Sequence, residues 1–491
     1  MLSVPEGSVE SFVVAGVSRE YLLHHRVCPD SLNEDGTLVV AVGPGAFLES
    51  LPELSDVYAR QLITRNVTDD DLERMIERAM SHAQDGTDGI RPGDDDTADV
   101  REVANQPPVI RYLNTLLHDA YEAGASDVHI ESQRAGATAR VRVDGVLVPT
   151  IDPPRRLHEA VVSRVKLLAD LDISERRKPQ DGRIRVRVEG AELYLRVSTV
   201  PTVHGESVVL RLLDRGTRPV DLAALGMPES IHHEMAAAID RPHGMVLVTG
   251  PTGSGKTTTL YSALRRRDVR SEKIVTVEDP VEYQLDGVTQ VPVHQQAGVT
   301  FASALRSILR QDPDVVMIGE MRDMETAAIA IQASMTGHLV FSTLHTNDAI
   351  GALPRLFDLG IAPYLVAATL TAILAQRLVR IACPQCKTAA KLRDDLVPVQ
   401  QSGYTGESGG DFIQVNGCSA CRGTGFKGRI GIFEMVSVDE AMRSAIAKGA
   451  SRAELQSLAE ARGYRRMIED GVAKAAAGVT TMDEVLRVCN G

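Results

Sequence analysis

The chain has 491 residues, of which 43% are hydrophobic and 24% are charged. At roughly 150 residues per domain, this length predicts about three globular domains, and the composition excludes a disordered or fibrous chain. The formal net charge of -13 excludes a protein that coats nucleic acid through an overall basic surface, because binding along phosphates requires clustered lysine and arginine.

The sequence predicts a cytoplasmic protein. No apolar run reaches the about 18 residues that a membrane-spanning helix requires. The best candidate, 362–375, is short and contains polar residues, so we predict a buried helix there. The first residues, MLSVPEGSVE, lack the basic and apolar regions of a signal peptide. Thiols stay reduced in the cytoplasm, so the six cysteines indicate a metal site before disulfides.

Residues 1–84 are predicted to form a small α/β module. Leu38–Val42 is an apolar, strand-like run, and 70–80 has apolar residues at helical spacing. The segment 85–108 that follows is acidic and poor in large apolar residues. We predict a flexible linker there, with a solvated loop of fixed shape as the alternative.

The next predicted domain, 109–218, begins with a helix over 109–123. Its strands alternate polar and apolar residues, a pattern typical of a sheet with one exposed face. The exposed positions are rich in arginine, and Asp144 and Gly145 form a hairpin signal. The predicted strands are 126–130, 139–143, 183–188, 192–197 and 207–212.

From 219 to 382 the pattern changes to helices that alternate with almost continuously apolar strands. This pattern predicts a parallel sheet covered by helices on both faces. A cysteine-containing module (383–430) and a helical region (431–491) follow. The clearest predicted strands are 245–249, 274–277, 315–318 and 339–342.

The sequence GPTGSGKT at 250–257 matches the phosphate-binding loop G-x-x-x-x-G-K-[ST], and it lies between a strand and a helix as that motif requires. Its glycines let backbone N–H groups face phosphates. Lys256 brings charge to the β- and γ-phosphates, and the Thr257 hydroxyl is the expected Mg²⁺ ligand. The alternative is a glycine-rich turn with an incidental lysine. The predicted nucleotide contacts in this segment are Gly250, Pro251, Thr252, Gly253, Ser254, Gly255, Lys256, Thr257 and Thr258.

Two acidic clusters follow predicted strands of the same domain. Glu320 comes after an apolar strand and a glycine, as an atypical Walker B acid. It is predicted to hold the water shell of the metal or to orient the attacking water. Glu278 and Glu282 belong to the second cluster. Each acid is alternatively a solvated loop charge, but ligands bind at the carboxyl ends of such strands.

His338 and His345 flank the fourth apolar strand. They cannot both bind one metal ion unless the strand bends. A phosphate sensor or a hydrogen bond to a carboxylate is therefore the better prediction, with a structural histidine as the alternative for each. We assign His345 to catalysis and His338 to nucleotide binding.

Together these motifs resemble the secretion ATPase superfamily, which powers type II secretion, type IV pilus assembly and retraction, and type IV secretion. The resemblance covers most of the chain, 105–490. The similar segments are an acidic box at 277–283, a Walker B region at 305–323, a His box at 336–348, and 124–131 and 179–183 in the preceding domain.

The resemblance implies a hexameric ring in which ATP lies between the smaller domain and a RecA-like domain. It makes Arg196 and Arg211 the phosphate-binding candidates of the smaller domain, and Arg306 and Arg310 those of the RecA-like domain. The spacing of Arg306 and Arg310 predicts that both lie on one helix face. Arginine suits this role because its planar fork binds phosphate oxygens bidentately. Without the resemblance, ordinary surface arginines would be the better interpretation.

Two CxxC pairs have the ligand spacing of a tetrahedral zinc site. The intervening segment, 387–417, is longer than in a usual zinc ribbon and contains a hairpin-like tip at 401–410. Redox pairs or inert thiols are the alternatives. Assembly-type members of the family carry the same module, which implies that this chain belongs to the assembly branch. Four thiolates leave no open catalytic position, so we predict a structural or partner-docking role. The predicted Zn²⁺ ligands are Cys383, Cys386, Cys418 and Cys421.

We therefore predict a multidomain α/β protein. A RecA-like P-loop NTPase domain with a parallel sheet follows a smaller α/β domain and precedes a tetracysteine zinc module and a helical C-terminus. The predicted segments are the partner-docking module 1–84, the linker 85–108, the arginine-bearing domain 109–218, the ATPase domain 219–382, the zinc module 383–430 and the helical region 431–491.

The resemblance implies an ATPase that couples hydrolysis to pseudopilus assembly and protein export in type II secretion, with ATP, Mg²⁺ and Zn²⁺. A pilus-extension ATPase is the first alternative. A DNA-translocating motor is disfavoured by the charge and by the lack of aromatic-basic stacking surfaces, and a non-hydrolysing scaffold by the intact motifs. The expected partners are five further copies of the chain and the cytoplasmic domain of an inner-membrane secretion or pilus protein. No direct nucleic-acid contact is expected, and the membrane is reached only through partners on its cytoplasmic face.

Overall fold

The structure is a computed structural model, and the chain divides into two compact units. The first unit comprises Met1–Gly216 and Asn416–Gly425, and the second comprises Thr217–Val415 and Phe426–Gly491. The structure describes residues 19–33, 35–48, 51–58, 60–85, 104, 107–134, 136–188, 191–214, 220–390 and 412–489.

The N-terminal module is a three-stranded sheet with helices. Strand β2 has the predicted bounds, and the predicted helix at 70–80 extends over Asp69–Asp85, with three aspartates in its first turn that suit the helix dipole. The predicted linker falls mainly outside the described residues and stays a prediction. The elements are α1 (Arg19–His25), β1 (Val27–Leu32), β2 (Leu38–Val42), α2 (Leu51–Tyr58), β3 (Leu62–Asn66) and α3 (Asp69–Asp85).

The second sheet of this unit has six antiparallel strands in the order β6-β5-β4-β9-β8-β7. Its buried and exposed residues alternate, as predicted. One cluster of buried apolar side chains runs from Tyr21 and Leu22 of the N-terminal module to Val109 and Leu195, so the two predicted domains share a core. The elements are α4 (Pro107–Glu122), β4 (Ala125–Gln133), β5 (Gly136–Val143), β6 (Val146–Pro149), α5 (His158–Leu168), β7 (Gln180–Val188), β8 (Ala191–Thr202) and β9 (Gly205–Asp214).

The predicted hairpin between β5 and β6 is confirmed. Asp144 and Gly145 have φ angles of 49° and 84°. Positive φ at both central residues is the requirement of the type I′ turn that suits two twisted antiparallel strands. Arg142 donates a hydrogen bond of 2.9 Å to the Gly145 carbonyl and closes the turn.

A seven-stranded sheet with the order β12-β11-β13-β14-β10-β15-β18 forms the centre of the second unit. All neighbours are parallel except β15 and the edge strand β18. Large apolar clusters cover both faces, as the apolar strands predict. The strands of this sheet are β10 (Gly244–Thr249), β11 (Ile274–Glu278), β12 (Thr289–Pro292), β13 (Val315–Ile318), β14 (Leu339–Leu344), β15 (Leu370–Ala382) and β18 (Phe426–Ser437). Between β15 and β18 in the chain, β16 (Lys387–Ala389) and β17 (Ile413–Val415) pair in a separate two-stranded antiparallel sheet.

Helices cover this sheet and form the C-terminal region, which confirms the predicted helical C-terminus. In the part of the chain that the structure describes, no helix is long and apolar enough to cross a membrane. The helices are α6 (Glu229–Ile239), α7 (Lys256–Arg266), α8 (Phe301–Ile308), α9 (Met324–Met335), α10 (Ala352–Asp358), α11 (Pro363–Thr369), α12 (Glu440–Ala447), α13 (Arg452–Glu460), α14 (Met467–Ala476) and α15 (Met482–Cys489).

The prediction of one buried helix over 362–375 is wrong. Helix α11 ends at Thr369, and the remaining residues begin the 13-residue strand β15. A short apolar run cannot be assigned to helix or strand by its periodicity alone. Here β15 pairs with β10 on one side and with β18 on the other, so long-range backbone hydrogen bonds determine its conformation.

Candidate active site

The phosphate-binding loop follows β10, which is buried along its whole length, and leads into α7. Gly250, Gly253 and Gly255 have φ angles of 149°, 79° and 86°, a region that disfavours other residues. A Cβ atom at Gly250 would lie 2.4 Å from the Gln376 carbonyl oxygen. The loop therefore requires glycine both for its backbone conformation and for its close packing.

Lys256 begins α7, and its Nζ donates to the carbonyl oxygens of Gly250 and Pro251 at 2.7 and 2.9 Å. Burial lowers the pKa of Lys256 to about 8, although the nearby Glu320 carboxylate acts in the opposite direction. The ammonium group thus lies against the phosphate-binding loop, where oxygens of a bound nucleotide can replace the two carbonyls. Thr257 and Thr258 follow in the first helical turn and are half-buried.

A buried glutamine of β15 connects the loop to helix α7. The amide nitrogen of Gln376 donates to the Ser254 carbonyl at 2.7 Å, and its amide oxygen accepts from the Thr259 hydroxyl at 2.7 Å. Gln376 is 2% exposed. The sequence analysis did not identify Gln376. The one feature that could have indicated its role is a polar residue within an otherwise apolar run, because buried polar side chains are usually hydrogen-bonded.

Glu320 lies just beyond β13, at the same edge of the parallel sheet as the phosphate-binding loop. One carboxylate oxygen is 2.6 Å from an Arg322 nitrogen, and the other is 3.3 Å from Nε2 of His345, which follows the neighbouring strand β14. The structure therefore brings together Lys256, Glu320 and His345. This is expected, because the carboxyl ends of neighbouring parallel strands lie side by side. Arg322 is a neighbour that the sequence analysis did not identify.

Glu278 has a different environment from Glu320. It ends β11 and is 2% exposed. One carboxylate oxygen accepts from Thr276 at 2.5 Å and from Gln290 at 3.1 Å, and the other accepts from the Tyr261 hydroxyl. Glu282 lies in the loop that follows and is exposed. Internal donors therefore occupy both oxygens of Glu278.

The two predicted histidines lie at opposite ends of strand β14, which is a central strand of the sheet. His338 precedes the first residue of β14, and its Nδ1 lies 2.9 Å from the Ala333 carbonyl oxygen. At about 3.3 Å per residue, the six residues of β14 separate it from His345 by about 20 Å. The structure does not bring His338 to the phosphate-binding loop of its own chain.

Arg306 and Arg310 are neighbours, but they do not share one α-helix. Helix α8 ends at Ile308, and Arg310 belongs to the 3₁₀ turn Leu309–Gln311. Arg310 donates to the Arg306 carbonyl at 2.9 Å, and Arg306 pairs with Glu325 at 2.5 Å. The expectation of a single α-helical face is corrected accordingly, and both arginines are exposed.

Arg196 and Arg211 of the first unit lie directly opposite each other on β8 and β9. Both are exposed. Nε of Arg211 donates to Asp127 at 2.8 Å. The alternating pattern of the strands predicted an exposed arginine-bearing face. It did not predict the acidic partner, which is distant in sequence.

The sulfur atoms of the four predicted zinc ligands lie within 4.8 Å of one another. Four thiolates at about 2.3 Å from a zinc ion are about 3.8 Å apart in a tetrahedron. The Sγ atoms of Cys418 and Cys421 are 3.7 Å apart, and the backbone N–H of Gly425 donates to Cys421 Sγ at 3.2 Å. The donor set and its spacing fit zinc. The predicted tip at 401–410 lies outside the described residues.

Known proteins resemble the chain over most of its length. The sequence is 45% identical to Type II secretion system protein E of Xanthomonas campestris over 490 residues, covering 97% of this chain and 85% of that protein. It is 43% identical to Type II secretion system ATPase E of Vibrio cholerae over 457 residues, covering 90% of each chain.

Solved structures show the same fold. The pilus retraction motor PilT with bound ADP aligns with a TM-score of 0.52 and 26% identity, covering 76% of this chain and 96% of that one. The Legionella pneumophila ATPase DotB aligns with a TM-score of 0.57 and 22% identity, covering 76% and 94%. Residues 102–487 match the family described as Type II/IV secretion system protein. Because that match spans most of the sequence, the chain belongs to this family.

Proposed function

We propose that this protein is the ATPase of a type II secretion system and that it couples ATP hydrolysis to pseudopilus assembly and protein export. The observation that carries the proposal is the convergence of Lys256, Glu320 and His345 at one edge of the parallel sheet. Relatives named as type II secretion proteins over most of the chain support the secretion role and do not favour pilus extension.

The phosphate-binding loop would hold the nucleotide through its backbone N–H groups, which the positive-φ glycines turn towards one side. Lys256 exchanges the two loop carbonyls for β- and γ-phosphate oxygens. Thr257 is the residue we propose to hold Mg²⁺. The metal, when bound, neutralises negative charge on these phosphate oxygens.

Glu320 is our choice for the residue that orients the attacking water. One oxygen of its carboxylate contacts Arg322 and the other contacts His345, and the carboxylate lies close enough to Lys256 to act on the pKa of that lysine. Glu278 is less suited to this role, because it is 2% exposed and its hydrogen-bond partners Thr276 and Tyr261 are themselves buried. Glu282 stays a weaker candidate in the adjacent loop.

The four arginines Arg196, Arg211, Arg306 and Arg310 are proposed to contact phosphate oxygens in an assembled homohexamer. Their guanidinium groups would stabilise charge that develops as the γ-phosphate leaves. Loss of that phosphate then removes the contacts, and the resulting domain rotation supplies the mechanical step. The tetracysteine cluster is proposed to hold a structural zinc ion, because four thiolates leave no open coordination position.

We further propose that 1–84 dock on the cytoplasmic domain of an inner-membrane secretion protein, which would place the ATPase peripherally on the cytoplasmic face. The full chain would be immobilised and challenged with the cytoplasmic domains of the host's secretion and pilus membrane proteins. Binding to a secretion domain supports the proposal, and binding only to a pilus domain contradicts it. Lys256→Ala is the matched control. It should dock equally well, because docking does not require hydrolysis.

A further inference from the structure

A row of charged residues crosses the six-stranded antiparallel sheet. Strand register places Arg183 opposite Arg196, Arg196 opposite Arg211, Arg211 opposite Asp127, and Asp127 opposite Arg142. Residues that are directly opposite in a sheet point to the same face. The row therefore contains four arginines and a single carboxylate on one face.

Such a row is unfavourable by itself, because like charges that face each other across strands destabilise a sheet. Arg183, Arg196 and Arg211 are exposed, so solvent reduces the repulsion but does not remove it. An anion with several oxygens would relieve it. The arrangement thus points to a phosphate-binding face. Its arginines need a partner that orients them while no ligand is bound.

Asp127 is well placed for that task. It is 5% exposed, and its two oxygens accept from Arg211 Nε at 2.8 Å and from Ser126 Oγ at 2.7 Å. Burial disfavours the ionised carboxylate, but the hydrogen bonds from Arg211 and Ser126 outweigh it and keep the pKa of Asp127 below its ordinary value. Asp127 is therefore a fixed negative charge at neutral pH. Arg142 Nε lies farther away, at 3.9 Å.

We infer that Asp127 is a positioning residue that holds Arg211 in the orientation in which it binds phosphate, an inference that rests on the function proposed above. Asp127 accepts from Nε of Arg211, so this hydrogen bond does not use the two terminal nitrogens Nη1 and Nη2, which can bind phosphate bidentately. Asp127 thus orders the side chain in advance without occupying its outer donors.

The same sheet offers a matched comparison. Glu131 lies four residues along β4 on the same face and pairs with Arg140 of β5 at 2.5 Å. This pair has the same chemistry as the Asp127–Arg211 pair. It does not involve a proposed phosphate-binding residue, so Glu131→Gln controls for the loss of one cross-strand ion pair.

The test is a double-mutant cycle on the full-length protein, with kcat and KM for ATP measured together with Tm and assembly state. Asp127→Asn should lower kcat/KM by about 10-fold through misorientation of Arg211, with assembly unchanged and with a fall in Tm no larger than that of Glu131→Gln. In an Arg211→Ala background it should have no further effect, because Asp127 acts only through Arg211. Glu131→Gln should leave kcat/KM unchanged.

The outcomes separate this inference from the proposed function. If Arg211→Ala abolishes hydrolysis but Asp127→Asn does not change it, the positioning role is wrong and the phosphate role of Arg211 stands. If Arg211→Ala is fully active, the arginine assignment itself fails. A further loss in the Arg211→Ala background, or a fall in Tm that matches the loss of activity, would reduce Asp127 to a structural residue. Should Asp127→Asn not fold, Asp127→Glu keeps the charge and displaces the contact, and it should also lower kcat/KM.

Discussion

The two large sheets of this protein carry their candidate functional residues in different places. In the seven-stranded parallel sheet the central strands are buried, and Lys256, Glu320 and His345 lie beyond the strand ends. In the six-stranded antiparallel sheet one face is exposed, and Arg196 and Arg211 lie within the strands. A sheet buried on both faces leaves only its ends for a ligand, whereas a half-exposed sheet offers its face.

The two groups of residues also differ in how they can be recognised from the sequence. The residues at the strand ends follow from short motifs that the chain direction brings to one edge. The charged row on the antiparallel sheet depends on the register of five strands. If ATP hydrolysis depends mainly on residues at the strand ends, substitutions there should lower activity more than substitutions on the exposed face.

The largest expected effect is at the phosphate-binding loop. Lys256→Ala should lower kcat/KM for ATP by about 100-fold or more, because the cation that faces the phosphates is lost. Phosphate release by the purified protein measures it. Lys448→Ala, which removes an exposed lysine at the end of α12, should be as active as the unchanged chain. Equal activity of Lys256→Ala and Lys448→Ala would remove the basis of the proposed mechanism.

The two carboxylates near the carboxyl ends of strands should behave differently. Glu320→Gln should lower kcat by about 100-fold while ATP still binds, because the orientation of the attacking water is lost. Glu278→Gln should mainly lower Tm, because it replaces an acceptor in the buried network with Thr276 and Tyr261. Binding of a fluorescent ATP analogue, phosphate release and thermal unfolding distinguish the two. An unchanged kcat for Glu320→Gln would contradict this role and show that another acidic residue orients the attacking water.

The exposed face should contribute less than the strand ends. Arg196→Ala should lower kcat by about 10-fold, since one of several phosphate donors is lost. The effect should appear only under conditions where the protein assembles, which size-exclusion chromatography can monitor. Arg140→Ala is the control on the same sheet face. A loss of activity of the same size for Arg140→Ala would show that the sheet acts only through its stability.

The pH dependence of nucleotide binding should follow Lys256. Its pKa is lowered to about 8, so the free protein carries this charge below pH 8 and loses it as the pH rises through that value. The KM for ATP should therefore rise above about pH 8, by up to about tenfold per pH unit. Steady-state kinetics from about pH 6.5 to about pH 9.5 measure this. A KM that stays constant over this range would contradict the role of the Lys256 charge.

The smallest effect on hydrolysis should come from the tetracysteine cluster, which lies outside both large sheets. Cys418→Ser should lose the bound zinc and lower Tm, with kcat little changed. Metal analysis should find one zinc per chain in the unchanged protein, and Cys28→Ser should retain it. Full zinc content in Cys418→Ser would exclude the proposed ligand set.

Local patterns predicted the parts of the fold that depend on few residues. The glycine-rich loop, the I′ hairpin and the buried parallel strands follow from backbone requirements and burial within short segments. The pattern over 362–375 predicts a helix for the first residues of β15, but pairing with β10 and β18 determines their conformation. Gln376 and Asp127 escaped prediction for a related reason. Each binds a partner far away in sequence, Ser254 and Arg211 respectively, and no local spacing encodes such a contact.

The central claim is that this chain powers type II secretion by hydrolysing ATP. The most direct test is deletion of its gene in the host, with exported proteins in the medium and surface pili quantified after complementation. The account predicts that deletion abolishes export and leaves pili intact, and that the unchanged chain restores export whereas Lys256→Ala does not. Loss of pili with normal export, or full restoration by Lys256→Ala, would contradict it.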